Sequence, residues 1–304
     1  MTRPGSRRVV CVGHAALDRI FAVDSWPDHS AKIAASRYEE SGGGMMANAA
    51  VAISRLGGEV ALCGPLGEDA VGPVIRAQLQ AEGVNVDALR SFPGMTSSHS
   101  AVLVDARGER LVIGYRGSAL HAPADWLPLD PPASAAAVLV DVRWPQGAEA
   151  ALRAARDANV PAILDGEVAP AGLLDSLSAI ADHVVFSERG LAECSGLDVE
   201  GGLRRVLAKG ARVAAVTRGA AGVFWVEGDA PHELRHCPAF DVTVVDTLAA
   251  GDVFHGAYAL AIAEGRRTGD AMRFASAAAA IKCSRPGGRG GAPTRSEVEA
   301  VLVR

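Results

Sequence analysis

The chain has 304 residues, 49% of them apolar and 5% aromatic, with a formal net charge of −5. That length suits one large α/β domain, or one domain with a small appendage, and the acidic balance excludes a basic nucleic-acid surface. No apolar run approaches the roughly 20 residues that span a bilayer, and the stretch from Val9 to Gly13 is too short for a signal-peptide core. Five cysteines (Cys11, Cys63, Cys194, Cys237 and Cys283) are scattered, with no C-x-x-C pair. They read as buried thiols of a reduced, cytoplasmic protein.

In chain order, Arg8 to Gly13 is a continuous apolar run, the pattern of a strand buried on both faces. Arg19 to Asp24 alternates, Trp26 to Ser30 turns, and Lys32 to Glu40 is extended, which predicts a strand pair outside the main sheet. Ala49, Ala50, Ile53 and Leu56 share one helical face, so a helix is expected over 48–56, ended by Gly57-Gly58. A strand over 59–64 and a helix over 72–82 follow. Segments 98–104 and 109–115 flank Asp105-Ala-Arg-Gly108, a hairpin signal. From Ala136 onward strands (137–142, 161–164, 183–186, 213–217) alternate with helices (148–158, 190–195, 201–209, 251–264, 271–283). That rhythm predicts an open, doubly wound parallel sheet with right-handed crossovers. The insertions at about 15–40 and 98–116 break it and are expected to form one small sheet, a lid on a single domain spanning 1–304.

The chemistry concentrates in Val244-Val-Asp-Thr-Leu-Ala-Ala-Gly-Asp-Val-Phe-His-Gly256. A strand ending at Val245, three small residues and a helix from about Gly251 would let a phosphate meet unpaired N–H groups and the positive end of the helix dipole. Asp252, in the first turn, is placed to take a proton from an alcohol attacking a γ-phosphate. A plain helix-start Asp is the competing explanation. A second stretch, Ser41-Gly-Gly-Gly-Met-Met-Ala-Asn48, brings glycine backbone and the Asn48 amide to the start of a helix, either for a ligand or as a capped loop. The chain contains no G-x-x-x-x-G-K-[ST] loop.

Together these stretches resemble the ribokinase and PfkB sugar-kinase family. The resemblance rests on Gly13-His-Ala-Ala-Leu-Asp18, on Gly42 to Asn48, on Val216-Thr-Arg-Gly-Ala-Ala-Gly222 and on Asp246-Thr-Leu-Ala-Ala-Gly-Asp252. It implies a ribokinase-like fold, an open doubly wound, mostly parallel sheet with helices on both faces and a small β-sheet lid. The implied activity is ATP-dependent phosphorylation of a sugar hydroxyl. Asp18, Gly43, Gly44 and Asn48 would hold the sugar. Ser187, Thr217, Gly219 and Gly222 would line the nucleotide site. Ala249, Ala250 and Gly251 would form the anion hole, with Asp252 as base. Mg²⁺ would travel with ATP, and Asp246 would help hold a monovalent cation such as K⁺, although the Leu248 side chain offers no oxygen. Lids would pair into a homodimer. The family's Asn-x-x-Glu is Ser187-Glu-Arg-Gly190 here, with Glu188 as a candidate substitute.

Four segments, Asp141-Val-Arg-Trp144, Phe186-Ser-Glu188, Asp252-Val-Phe-His-Gly256 and Lys282-Cys-Ser-Arg-Pro-Gly-Gly-Arg289, are similar to the sulfofructose kinase branch. That likeness implies a sulfonate facing Lys32 on the first lid strand and Arg143 at a strand end. Arg143 would otherwise pair with Asp141 or Asp165, since an unpaired buried cation is costly. The branch's lid Asn aligns with Gly114 and does not match. A phosphorylated ketose, a neutral sugar of the ribokinase or ketohexokinase type, and a sugar sensor on the same fold stay open. His232-Glu-Leu-Arg-His236 fits the zinc-protease pattern by letter, but Pro231 and Pro238 bracket it, which predicts an edge strand. Ala277 to Ala280 read as a buried helix face.

Overall fold

A computed structural model describes residues 8–25, 29–30, 32–107, 109–128 and 134–303. The first apolar run becomes β1 (Val9–Val12), and its alternation decides the layering. Val9 and Cys11 enter one hydrophobic core and Val10 and Val12 the other, all four fully buried. Strands buried on both faces read as continuous apolar runs for this reason.

The chain continues through β2 (Ala16–Ala22), β3 (Arg37–Gly43), α1 (Met45–Arg55), β4 (Val60–Gly67), α2 (Val71–Ala81), β5 (Leu89–Phe92), β6 (Ser98–Val104) and β7 (Arg110–Tyr115). Then come β8 (Ala137–Val140), α3 (Pro145–Asp157), β9 (Ala162–Gly166), α4 (Leu173–Ser178), β10 (His183–Ser187), α5 (Glu188–Ser195), α6 (Val199–Leu207) and β11 (Val213–Thr217). The last elements are β12 (Val223–Glu227), β13 (Ala230–Cys237), α7 (Ala250–Ala263), α8 (Thr268–Cys283) and α9 (Arg295–Leu302).

Among the described residues the main sheet has nine strands in the order β13-β12-β11-β10-β9-β8-β1-β4-β5. The pairs from β5 to β11 are parallel, and β12 and β13 add an antiparallel edge. Helices α1, α7 and α8 pack on one face through Ile53, Tyr258 and Phe274; α3, α5 and α6 pack on the other through Leu152, Leu191 and Leu203. The carboxyl ends of the parallel strands therefore open on one side of the molecule, where open α/β sheets bind ligands.

The two insertions meet in a second, four-stranded sheet, β3-β2-β6-β7. Its central pair, β2 with β6, is parallel and sets Asp18 beside Ser100; β2 with β3 is antiparallel and sets Asp18 opposite Ser41. The hairpin turn is held by the Asp105 carboxylate, which accepts from the Arg107 and Glu109 N–H groups at 2.9 Å each. Gly108 and Trp26 to Asp28, part of the expected turns, lie outside the described residues.

Two expectations need correction. Residues 32–35 form no strand, so Lys32 sits on an exposed connection between β2 and β3 rather than on the lid sheet. Nor does a strand end at Val245: Val244 and Val245 are 62% and 57% exposed, and the Val245 N–H donates to the Cys283 carbonyl at 2.8 Å, tying this segment to the end of α8 instead of the sheet. The thiols are all free, but Cys194 and Cys283 are only half-buried. His232 and His236 fall on β13, where the His236 ring stacks on Phe224. No helix among the described residues is long and apolar enough to cross a membrane.

Candidate active site

The small-residue turn adopts the backbone its sequence allows only with strain. Ala249 has φ 63 and ψ 9, a left-handed conformation that an L-residue with a Cβ rarely takes. Ala250 N–H bonds back to the Thr247 carbonyl at 3.1 Å, and α7 starts at Ala250. The first-turn N–H groups of Gly251 and Asp252 have no carbonyl one turn earlier in the helix to bond. An exposed glycine among them leaves the approach clear.

Asp252 stands at the edge of this turn. Its Oδ2 accepts from the Asn48 amide at 2.7 Å, joining the start of α7 to α1. Burial first, and then the neighbouring Asp165 carboxylate, push its pKa up to about 7, against the opposing hydrogen bond from Asn48. One turn further on, buried His255 places Nδ1 2.7 Å from the Gly251 carbonyl and Nε2 3.0 Å from the Val185 carbonyl. Asp165 Oδ2 lies 3.3 Å from the same Nδ1, and burial raises the Asp165 pKa well above its ordinary value. A neutral ring has only one N–H, so His255 donates to one of these two carbonyls at a time.

Around Asp252 several polar groups are gathered but not all are satisfied. Asn48 is 7% exposed, and its Oδ1 has no partner. Asp18 accepts from Ser100 Oγ at 2.6 Å; burial raises its pKa and Ser100 opposes that. Gly43 is required beside it, since a Cβ there would lie 2.4 Å from Asp18 Oδ2, and Gly44 turns the chain into α1 with φ 94. His14 donates its N–H to buried Asp141 at 2.8 Å while its Nε2 is buried without a partner. Burial, then the charges of Arg143 and Arg116, drive the His14 pKa down to about 4.

Of the two alternatives for Arg143, the structure does not show the internal ion pair with Asp141 or Asp165. Asp141 accepts its backbone N–H at 2.8 Å, while the guanidinium gives one hydrogen bond, to the Val168 carbonyl at 2.9 Å. Guanidinium carries five donors, so most stay available in this half-buried position. Arg289, 5% exposed and packed over Gly42, has one hydrogen bond to Gln78 and an unpartnered Nη1.

A groove of about 420 Å³ runs from the turn along the sheet edge. Thr217, Gly219 and Gly222 line it together with Phe240, Ala250 and Gly251. Ala279 and Ala280 also line it, whereas Ala277 and Ala278 face the core. Val244 is exposed into this groove, which accounts for its apolar character outside any strand. Ser187 is not among the lining residues: its Oγ caps α5 through the Gly190 N–H at 3.0 Å and donates to Glu167 Oε1 at 3.2 Å. A Cβ at Gly190 would lie 2.0 Å from the Gly166 carbonyl, so this backbone leaves no room for the glutamate that the family pattern has at this position. Glu188, the expected substitute, is engaged by Arg218 at 2.6 Å.

At the far side of the turn, Asp246 is saturated. Oδ1 accepts from Arg110 Nη1 and the Leu248 N–H, both at 2.7 Å; Oδ2 accepts from the Gly287 and Gly288 N–H groups at 3.1 and 3.2 Å and lies 3.2 Å from Lys282 Nζ. Burial opposes ionisation, but Arg110, these N–H groups and Lys282 outweigh it and hold the carboxyl well below its ordinary range. Arg110 and Lys282 were not singled out for this role from sequence. Lys282 carried a signal, a lysine closing an alanine-rich buried helix face, which is rare unless paired; Arg110 is brought here only by the folding of the lid.

Residues 6–295 match the pfkB family of carbohydrate kinases. The ribokinase of Bacillus subtilis is 30% identical, with 97% of this chain and 99% of that protein covered. A solved structure from Agrobacterium tumefaciens, described as a candidate ribokinase, superposes with a TM-score of 0.92 at 41% identity, covering 99% of this chain and 100% of that one. The Arabidopsis thaliana ribokinase, solved with ribose and ATP, gives 0.87 at 25% identity over 98% and 99% of the two chains.

Proposed function

Since the chain belongs to the pfkB family and is an ATP-dependent sugar kinase of the ribokinase type, we propose that Asp252 is its catalytic base and that its sugar is a ketose with an anionic substituent. The contact that carries the first part is Asn48 to Asp252 beside the strained Ala249 turn. A sugar hydroxyl held by Asp18, Gly43, Gly44 and Asn48 would lose its proton to Asp252 as it attacks the γ-phosphate. Ala249 to Gly251 would take up the charge on the transferring group. Thr217, Gly219 and Gly222 would bind the nucleotide. Ser187 would act from behind them through Glu167, the two forming the oxygen cluster that would meet the water shell of Mg²⁺. Bound with ATP, Mg²⁺ would neutralise phosphate charge during the transfer.

The second part rests on the free donors of Arg143, reinforced by the positive field that Arg143 and Arg116 impose on His14. A phosphate or sulfonate, as in 6-sulfofructose, would complete that corner with bidentate hydrogen bonds. Lys32 would join it only if its connection folds inward. Ribose is the second reading, favoured by the Bacillus and Arabidopsis relatives. ADP release is to be followed over ribose, fructose, ketose phosphates and 6-sulfofructose. The expected result is turnover of an anionic ketose that falls about 10- to 100-fold in Arg143→Ala, a loss of roughly 1.4–3 kcal/mol. Turnover of ribose alone, unchanged by that substitution, selects the second reading. ATP binding without turnover of any sugar leaves a sensor on this fold.

The lid would also be the homodimer surface. Every residue of β7 is exposed, and Leu111, Val112, Ile113 and Tyr115 are 50–60% exposed on an unpaired sheet edge. Such an edge invites a second copy of itself.

A further inference from the structure

Lys282 is fully buried near the end of α8, with its ammonium among oxygens. Its Nζ donates to the Asp246 carbonyl at 2.7 Å and the Arg285 carbonyl at 3.3 Å, and lies 3.2 Å from Asp246 Oδ2. An ammonium has three N–H donors and no acceptor, so these three oxygens use its whole capacity. One carboxylate oxygen and two main-chain carbonyls from separate loops form an oxygen cage of the kind that replaces the hydration shell of an alkali cation. Ammonium matches K⁺ in charge and approximately in size.

The position of the cage gives it a task. Asp246 opens the turn that leads to the anion hole: Thr247 holds the Ala250 N–H, and Ala249 takes the left-handed conformation. Arg285 opens the glycine loop whose Gly287 and Gly288 N–H groups bind Asp246 from the other side. The ammonium thus joins the two loops that shape the phosphate end of the site. A diffusible monovalent cation does not fit here. Both Asp246 oxygens already have N–H partners, and a fixed positive charge occupies the space between the carbonyls.

We propose that the Lys282 ammonium is a built-in monovalent cation, so that this kinase works without K⁺. Lys282 is then a positioning residue. It acts through the Asp246 turn on the phosphate-binding backbone rather than on the sugar. The family resemblance put a diffusible cation at Asp246; this side chain stands in its place.

The wild-type enzyme is assayed with its best sugar in choline chloride and in KCl. In parallel its melting temperature is followed with Mg²⁺-ADP, a readout independent of which sugar is correct. Neither kcat nor melting temperature is expected to respond to K⁺. In Lys282→Ala, kcat in choline chloride should fall about tenfold or more with the sugar KM little changed. K⁺ or NH₄⁺ should then restore kcat and raise the melting temperature. Lys282→Met, whose uncharged chain keeps the space filled, should lose activity without cation rescue. Strong K⁺ stimulation of the wild type overturns the proposal. So does a folded Lys282→Ala that is unaffected in choline chloride, or that no monovalent cation rescues. If the alanine variant does not fold, the wild-type cation response alone decides.

Discussion

The two ends of this site are built on opposite principles. At the end near Asp18 and Asn48, buried or half-buried polar atoms are left without partners: His14 Nε2, Asn48 Oδ1 and most of the Arg143 guanidinium. At the Asp246 end every oxygen is engaged, by Arg110, Lys282 and three backbone N–H groups. Unsatisfied buried polar atoms cost free energy and persist where a ligand will complete them. A saturated carboxylate is instead a joint. The comparison separates residues that bind from residues that hold the binding backbone in shape, although both lie beside the same turn.

The largest effect is expected at Asp252. Asp252→Asn removes the proposed base and should lower kcat by roughly 10²- to 10⁴-fold in a steady-state assay. The same substitution has an opposite effect on the fold. The Asp252 pKa rises from an ordinary 3.8 to about 7, so the folded state favours the protonated form. Ionisation therefore destabilises the protein increasingly as pH rises from about 4 through 7 and leaves it unaffected below. Thermal unfolding at pH 8 should find Asp252→Asn more stable than the wild type by about 1–3 kcal/mol, and no different at pH 4. Equal stability at both pH values would remove the case for a strained, desolvated base.

Asn48→Ala is the next step down. It removes a proposed sugar contact and the hydrogen bond that favours the Asp252 carboxylate. Sugar kcat/KM should drop about 10- to 100-fold. In the wild type, log kcat/KM should climb with unit slope and level off near pH 7, as expected for a base with the Asp252 pKa of about 7; in Asn48→Ala that bend should move to higher pH. A bend that stays in place would mean the amide does not tune the base.

Smaller changes probe the joint and the lid. Arg110→Ala breaks the bridge between β7 and Asp246, whose Arg side chain is 32% exposed. Asp246 itself is buried, but four other donors, Lys282 and the Leu248, Gly287 and Gly288 N–H groups, still satisfy it, so only a few-fold rise in sugar KM is expected, with kcat retained. Val112→Glu places a charge on the outer lid edge; if the lid is the proposed homodimer surface, sedimentation should report a dimer for the wild type and a monomer for this variant, at little cost in stability.

The sequence by itself determined the layered α/β fold, the lid built from two insertions, and the Ala249–Asp252 turn. Each of these is written in contiguous residues: alternation or continuity of apolar positions, hairpin spacing, small residues before a helix. Such patterns constrain the backbone locally wherever the chain goes. They misled at Val244-Val245, because an apolar β-branched pair looks the same whether it packs in a sheet or, as here, lines a groove through Val244 and is exposed at Val245. Only the tertiary structure decided which side chains meet. Asn48 reaches Asp252 across 204 residues, Arg110 reaches Asp246 across 136, and Arg143 turns from two available carboxylates to a carbonyl. No local pattern encodes those distances. They follow from packing α1 against α7 and folding the lid over the strand ends, where low dielectric and geometry settle which charges are paired and which are left for a ligand.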